Sequence, residues 1–307
     1  MKLSRAGLVI NGDPFYSPKI GISPFSLSSP KNPQSIDAKG IDKLNQIFQS
    51  SAWTFTESGK SAIDLALNSL SLERDDEVWI QTSSGNSYVS RCVTQKISNY
   101  CNWSMEKSAK TKVIYFIHDF GRDGSQQIEH LRVTGMPIIE DAAYGLITAK
   151  EGKWDFSRSE FLLFSFPKVF EMQFGGILCG TGVRKTQSGE LVNFVARGAS
   201  KWILSSEDIF TRRRHIYSLL KLEFEKLGFT ASYALAEHEN PGVFMFETDR
   251  EMQLDDLKIF FNEHGCESSV FYGRSSYFVP VHQQLDENLI KYFADVLLAF
   301  ISGSQND

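Results

Sequence analysis

The chain has 307 residues, enough for one large or two ordinary domains with a proper core. With 42% hydrophobic and 22% charged residues it has an ordinary globular composition, and a net charge of -5 argues against a dedicated nucleic-acid binder. Four scattered cysteines, Cys92, Cys101, Cys179 and Cys266, show neither CxxC nor metal-ligand spacing and read as free thiols in the cytoplasm.

The first residues lack the apolar region of a signal peptide. The longest apolar stretch, 292–301, is broken by Asp295 and too short to span a bilayer, so no membrane partner is expected. Residues 1–50 are rich in Ser, Pro, Gly and Asn and read as an N-terminal arm. Within it, Ile41, Leu44, Ile47 and Phe48 suit one short helix. Residues 53–57 lead to Ser58-Gly59, after which Ile63, Ala66, Leu67 and Leu70 give helical spacing over 60–72. A Ser-Gly pair at a helix start leaves backbone N–H groups at the positive dipole end, a natural phosphate seat.

Strands are expected at 77–80, 112–117, 137–139, 161–165 and 177–179, with helices at 89–97 and 128–133 between them. Such alternation argues for an α/β sheet with right-handed crossovers, whose ligands gather at the carboxyl ends of the strands. Asp141 and Lys168 both fall at such ends. Pro167 closes the run 161–165, and Lys168 then stands between two buried strands, where lysine is uncommon. After Arg197 the texture changes. A long helix over 209–227, strands at 242–247, 268–272 and 277–281, a helix at 254–263 and a closing helix at 286–301 capped by Asp286 suggest a smaller α+β domain. The expected division is 1–205 and 206–307, with a disordered tail from Ser302. The basic run Arg212-Arg213-Arg214-His215 reads as a solvated helix face.

Lys168 alone reads either as an exposed loop lysine or as an amine held in a pocket, but three features converge: a lysine, an aspartate at a strand end and a phosphate seat at a helix start. Pyridoxal phosphate chemistry needs those parts: an amine for a Schiff base, a carboxylate beside the pyridine nitrogen, and donors for the phosphate. There is no GxGxxG after a strand, no P-loop, no HExxH and no GxSxG elbow. Glu140-Asp141 as an acid/base pair lacks a partner in spacing, and His118 and His282 read as structural histidines at strand ends ahead of the alternative, ligands or bases.

In order, Ser58-Gly59-Lys60-Ser61-Ala62-Ile63, Asp76-Glu77-Val78, His118-Asp119-Phe120-Gly121, Glu140-Asp141-Ala142-Ala143, Ser165-Phe166 before Lys168, and Gly175-Gly176 resemble the DegT/DnrJ/StrS sugar aminotransferases. The resemblance implies the type I fold of pyridoxal-phosphate transferases, a mostly parallel sheet sandwiched by helices beside a smaller C-terminal α+β domain. It implies Lys168 as the Schiff-base lysine and Asp141 as the partner of the pyridine nitrogen. Ser165, Gly59 and Lys60 would hold the phosphate, and Tyr144 would face the ring hydroxyl. It further implies a homodimer that moves an amino group, usually from glutamate, to a keto group of a nucleotide-linked sugar, in polysaccharide or glycoconjugate biosynthesis. No metal is implied.

The departures are local. Lys60 stands where the family has threonine, Tyr144 where it has glutamine, and two residues are missing between Phe166 and Lys168. Asn86 and Tyr88 are the candidates for the ring-stacking residue, and the stretch between Gly180 and Arg212 is shorter than in the family. Other chemistry on the same cofactor, or a non-catalytic relative, are the alternative readings.

Overall fold

In a computed structural model, residues 3–4, 7–8, 19–26, 33–49, 52–147, 158–183, 189–248 and 251–304 are described. Parts of the expected N-terminal arm and the last three residues of the expected tail lie outside them. In chain order the elements are β1 (Leu3–Ser4), β2 (Gly7–Leu8), α1 (Ala38–Phe48), β3 (Trp53–Thr56), α2 (Gly59–Asn68), β4 (Glu77–Thr82), α3 (Arg91–Ser98), β5 (Asn102–Ser104), β6 (Thr111–Ile117) and α4 (Ser125–Arg132). There follow β7 (Ile138–Asp141), β8 (Phe161–Ser165), β9 (Gly176–Gly180), α5 (Glu190–Trp202), α6 (Ser206–Glu225), β10 (Val243–Glu247), α7 (Leu254–Glu263), β11 (Ser269–Val270), β12 (Ser276–Pro280) and α8 (Glu287–Ser304). Contacts divide the chain into two units: 25–210 with 237–240, and 1–24 with 211–236 and 241–307. The chain therefore passes between units more often than a single boundary near 205 provides, and the described residues before 25 group with the C-terminal part.

The first unit is built on a seven-stranded sheet of order β3-β9-β8-β7-β6-β4-β5. Every pair among β8, β7, β6, β4 and β5 is parallel, whereas β9 runs antiparallel to both β8 and β3. β8 is buried at four consecutive positions because a central strand is covered on both faces. On one face Tyr115, Ile139 and Leu163 pack under Ala62, Ile63 and Ala66 of α2 and Val93 and Ile97 of α3. On the other, Leu162, Phe164 and Ile177 meet α1 and α5, while Ile114, Phe116 and Ile138 meet Ile128 of α4.

The helix starts follow capping chemistry. Asp37 accepts from Lys39 and Gly40 N–H, Ser58 from Ser61 N–H, and Asp286 from Leu289 N–H. α2 ends at Asn68, four residues before the spacing suggests, and Ser71 at φ 48° turns the chain there. α8 runs through Ser304, beyond the expected start of the tail at Ser302. Neither β5 nor α5 is among the expected elements: β5 is an exposed edge strand with no alternation, whereas α5 does carry helical spacing at Val192, Val195, Ala196 and Ala199.

The second unit holds the antiparallel sheet β10-β12-β11, with α6, α7 and α8 closing over Phe244, Phe246, Tyr277 and Val279. The basic run here is not a solvated face. Arg213 is fully buried and donates through Nε to Gln283 Oε1 at 3.1 Å. Arg212 donates to Leu285 O and Arg214 to Ala236 O, each at 2.7 Å, so the run ties α6 to neighbouring chain. Charge alone could not reveal that the helix turns this face inward. His282 is structural, donating through Nε2 to Gly21 O at 3.0 Å.

This packing generates two stability predictions. A Cβ on Gly40 of α1 would lie 1.6 Å from Ser200 O on α5. Gly40→Ala is therefore expected to lower the urea midpoint, an overpacking cost of about 1–3 kcal/mol outweighing the ~1 kcal/mol helix-propensity gain. Burial, with help from the Arg213 charge, pushes the His282 imidazole down to about 3. The unfolded chain then binds a proton that the folded chain refuses, so His282's contribution is complete above about pH 6.5 and is lost as pH falls toward 3. Urea titrations from pH 7.5 to 5 should show this slope, up to about 1.4 kcal/mol per unit, flattened in His282→Gln.

Candidate active site

All the strands of the large sheet except β9 end at one edge, where the sequence-derived site residues meet. Ser58 closes β3 into α2, accepting from Ser61 N–H at 3.1 Å while Ala62 N–H bonds Ser58 O. The Gly59 and Lys60 N–H groups, at the first turn of the helix, have no intrahelical partner. A Cβ on Gly59 would lie 3.0 Å from both Cβ and Oγ of Ser165, so the helix start and the end of β8 share one small cradle. Gly176 closes its back: a Cβ there would meet Phe164 O at 2.6 Å, Thr56 Oγ1 at 2.9 Å and Gly59 N at 3.0 Å. N–H groups at the positive dipole end and a hydroxyl make this cradle suited to an anion.

Lys60 enters it through its backbone only. Its exposed side chain lines a separate groove of about 610 Å³ between α2 and α3, with Arg91, Lys96 and Trp103. The Lys60 cation thus belongs to that groove.

Asp141 ends β7, buried, on the face carrying Ile139 and Tyr115. Its Oδ2 accepts from the Tyr115 hydroxyl at 2.7 Å and its Oδ1 from Ala143 N–H at 3.0 Å. Burial pushes this carboxyl above its usual range; the Tyr115 hydrogen bond leads the opposing effects, followed by Ala143 N–H and the electrostatics of His118 and Lys168. Glu140 points to the opposite face because successive strand residues alternate. There its Oε2 receives His118 Nε2 at 3.1 Å, and Gly124 N–H donates to His118 Nδ1 at 3.2 Å. Adjacent in sequence, the two carboxylates are separated by the sheet. They cannot form an acid/base pair.

After β8, Phe166–Lys168 form a single 3-10 turn, with Phe166 N–H bonded to Gly175 O at 3.0 Å. This hairpin accommodates the short loop and leaves Lys168 half-buried, its Nζ 5.4 Å from the centre of the Tyr144 ring. Tyr144 begins an aromatic row: its ring lies 5.6 Å from Phe120, which lies 6.2 Å from Tyr88. Phe120 adopts φ 50°, unusual for a bulky residue, and Gly121 beside it leaves no room for a Cβ, which would sit 2.3 Å from Asn240 O. Of the two loop candidates, Tyr88 joins this row. Asn86 instead braces its own loop, accepting from Ser87 N–H at 2.7 Å and, through its carbonyl, from Thr82 Oγ1 at 2.8 Å. Asp119 holds that loop to β6, accepting from Ser84 N–H at 2.9 Å. Sequence reasoning missed Tyr115, Phe120 and Asn240; a phenol in the apolar run of β6 was the available signal for the first. Among the described residues no group of His, Cys, Asp and Glu is placed to hold a metal, and no helix is long and apolar enough to cross a membrane.

No protein-family model matches the chain, and no curated protein does. Solved structures do. Spr1654 of Streptococcus pneumoniae, described as a sugar aminotransferase, in its PMP form superposes with a TM-score of 0.66 at 15% identity, covering 96% of this chain and 100% of that one. A DegT DnrJ EryC1 StrS aminotransferase from Brucella abortus gives 0.65 at 13% identity, over 87% and 91% of the two chains. The cysteine desulfurase CsdA of Escherichia coli gives 0.57 at 11%, over 86% and 83%. The chain shares the fold of these structures, a mostly parallel sheet flanked by helices.

Glu140 serves the structure in this arrangement. Glu140→Ala removes the acceptor of a buried His118 N–H and should cost about 1–3 kcal/mol in urea unfolding. A variant as stable as the parent would show that the pair is dispensable to the fold.

Proposed function

We propose that the protein is a pyridoxal-phosphate-dependent aminotransferase that moves an amino group, from glutamate, to a keto group of a nucleotide-linked sugar. The observation that carries this reading is the meeting of an amine, a buried carboxylate and an anion cradle at one sheet edge. The residues fit the group: the Gly59–Ser165 cradle has room only because Gly59 lacks a Cβ, and its donors match a phosphate. Gly59 and Lys60 N–H and Ser165 Oγ would hold the phosphate, Asp141 the ring N–H, and Lys168 the aldehyde carbon as a Schiff base. Pyridoxal phosphate, when bound, supplies an electron sink for the pair left by a broken bond at the amino donor's α-carbon.

The chain's own residues do the rest. With the cofactor bound, the Lys168 amine would be the base placed to take and return the proton at that carbon. The Tyr144 ring beneath it limits where the amine can reach. Asp141, tied at both oxygens, offers a fixed acceptor. The donor, the nucleotide-linked acceptor and a homodimeric, cytoplasmic enzyme of polysaccharide or glycoconjugate synthesis follow the family resemblance; free Cys92, Cys101, Cys179 and Cys266 suit a reducing compartment.

A second reading keeps the cofactor and changes the reaction, and the similarity to a cysteine desulfurase favours holding it open. Glutamate separates the two: it should shift the absorbance of the loaded protein if amino transfer is the reaction and leave it unchanged otherwise. Borohydride reduction should fix the cofactor's mass on Lys168, and Lys168→Ala should prevent it. Gly59→Val should weaken cofactor binding about tenfold to a hundredfold, whereas Lys60→Ala, removing an exposed charge, should change it about threefold or less. A protein that takes up no cofactor at all would overturn the reading.

A further inference from the structure

Tyr115 is fully buried on the α2-facing side of the sheet, paired in register with Ile80 of β4 and Ile139 of β7. The apolar cluster it belongs to there includes Val78, Val113, Ile139 and Leu163, with the Cys92 thiol also acting on it. Phenylalanine would fill the same space without a hydroxyl to desolvate. Among the described residues the hydroxyl's hydrogen bond is to Asp141 Oδ2, at 2.7 Å. The geometry follows from the sheet: Ile139 is opposite Tyr115, and Asp141, two residues on, shares its face at the carboxyl edge.

We propose that Tyr115 is a positioning residue, whose hydroxyl holds the Asp141 carboxylate ionised and fixed as the acceptor for a ligand's ring N–H. This rests on the reading that Asp141 meets the pyridine nitrogen of the cofactor. A carboxylate has about four acceptor positions. Ala143 N–H takes one on Oδ1 and Tyr115 one on Oδ2, which stops rotation of the group and leaves the remaining positions for a ligand. The charged and titratable groups acting on Asp141 are Tyr115 from β6, His118 just after it and Lys168 after β8; His118 itself is engaged by Glu140 on the other face. Burial drives the carboxyl toward protonation, so the hydrogen bond works against a real tendency. Tyr115 is suited to this because burial and the adjoining Asp141 charge push its own ionisation well up, keeping it a donor.

Equilibrium dialysis of pyridoxal phosphate against the whole protein, from pH 5 to 8.5, tests the proposal without relying on turnover. Only ionised Asp141 accepts the ring N–H, so affinity declines as pH falls through the Asp141 titration. In Tyr115→Phe that decline should begin about one to two pH units higher, with affinity near the parent's at pH 8.5. In an Asp141→Asn background, adding Tyr115→Phe should no longer change affinity on the acid side. Profiles that superimpose, or a loss in Tyr115→Phe that is equal at every pH, would overturn the assignment and leave a purely structural tyrosine. Should Tyr115→Phe fail to fold, 3-fluorotyrosine in place of Tyr115 keeps the shape with a more acidic donor, and the decline should then move to lower pH; no movement overturns the proposal. Failure of the parent to bind pyridoxal phosphate at any pH would instead sink the underlying cofactor reading, and is distinguished by the lack of a borohydride-trapped adduct on Lys168.

Discussion

The absence of a side chain at Gly176 is the constraint on which the site depends. Three pieces of chain converge on that α-carbon: the carbonyl of Phe164 from β8, the hydroxyl of Thr56 from β3 and the N–H of Gly59 from α2. Each lies closer to the place of a Cβ than ordinary packing allows. The closeness brings the helix start against Ser165 and forms the anion cradle. It also sets the return of the hairpin that carries Lys168. A methyl group here would push apart the start of α2 and the lysine arm together. Gly59 repeats the logic one layer above, against Ser165.

Pleating and burial assign the remaining roles. Alternation along β7 sends Glu140 to one face and Asp141 to the other, so two neighbouring acids have unrelated work. Glu140 anchors the imidazole that ends β6; Asp141 faces the cradle side beside α2. In the second unit burial does the same for the arginines, converting an apparent cationic face into hydrogen bonds that hold α6.

Much of this was legible in the sequence, because the informative residues stand at strand ends. β8 is recovered residue for residue from its apolar run, and α7 from its spacing. Lys168, Asp141, Ser165 and Gly59 do come to one edge, as the order of motifs implies. What could not be read was direction. Nothing in the string of residues tells that Arg213 points inward, that the Lys60 side chain leaves the cradle for the α2–α3 groove, or that the Tyr115 hydroxyl reaches Asp141 across a strand. Those are tertiary facts, decided by which face of an element meets its neighbour. The missed β5 is exposed, and short exposed strands leave no hydrophobic signature.

The antiparallel course of β9 has a consequence for how the molecule is made. The Lys168 arm is a local hairpin between β8 and β9, but the cradle needs β3 as well, and Trp53 pairs with Cys179. That closure spans most of the first unit, and non-local pairings of this kind slow folding because their loop entropy is lost before the contact is gained. A cofactor held by both Lys168 and the Gly59 turn would therefore engage only a sheet whose edge strand has docked. Its binding would draw the population toward that completed state by mass action, making the ligand a quality check on the finished fold.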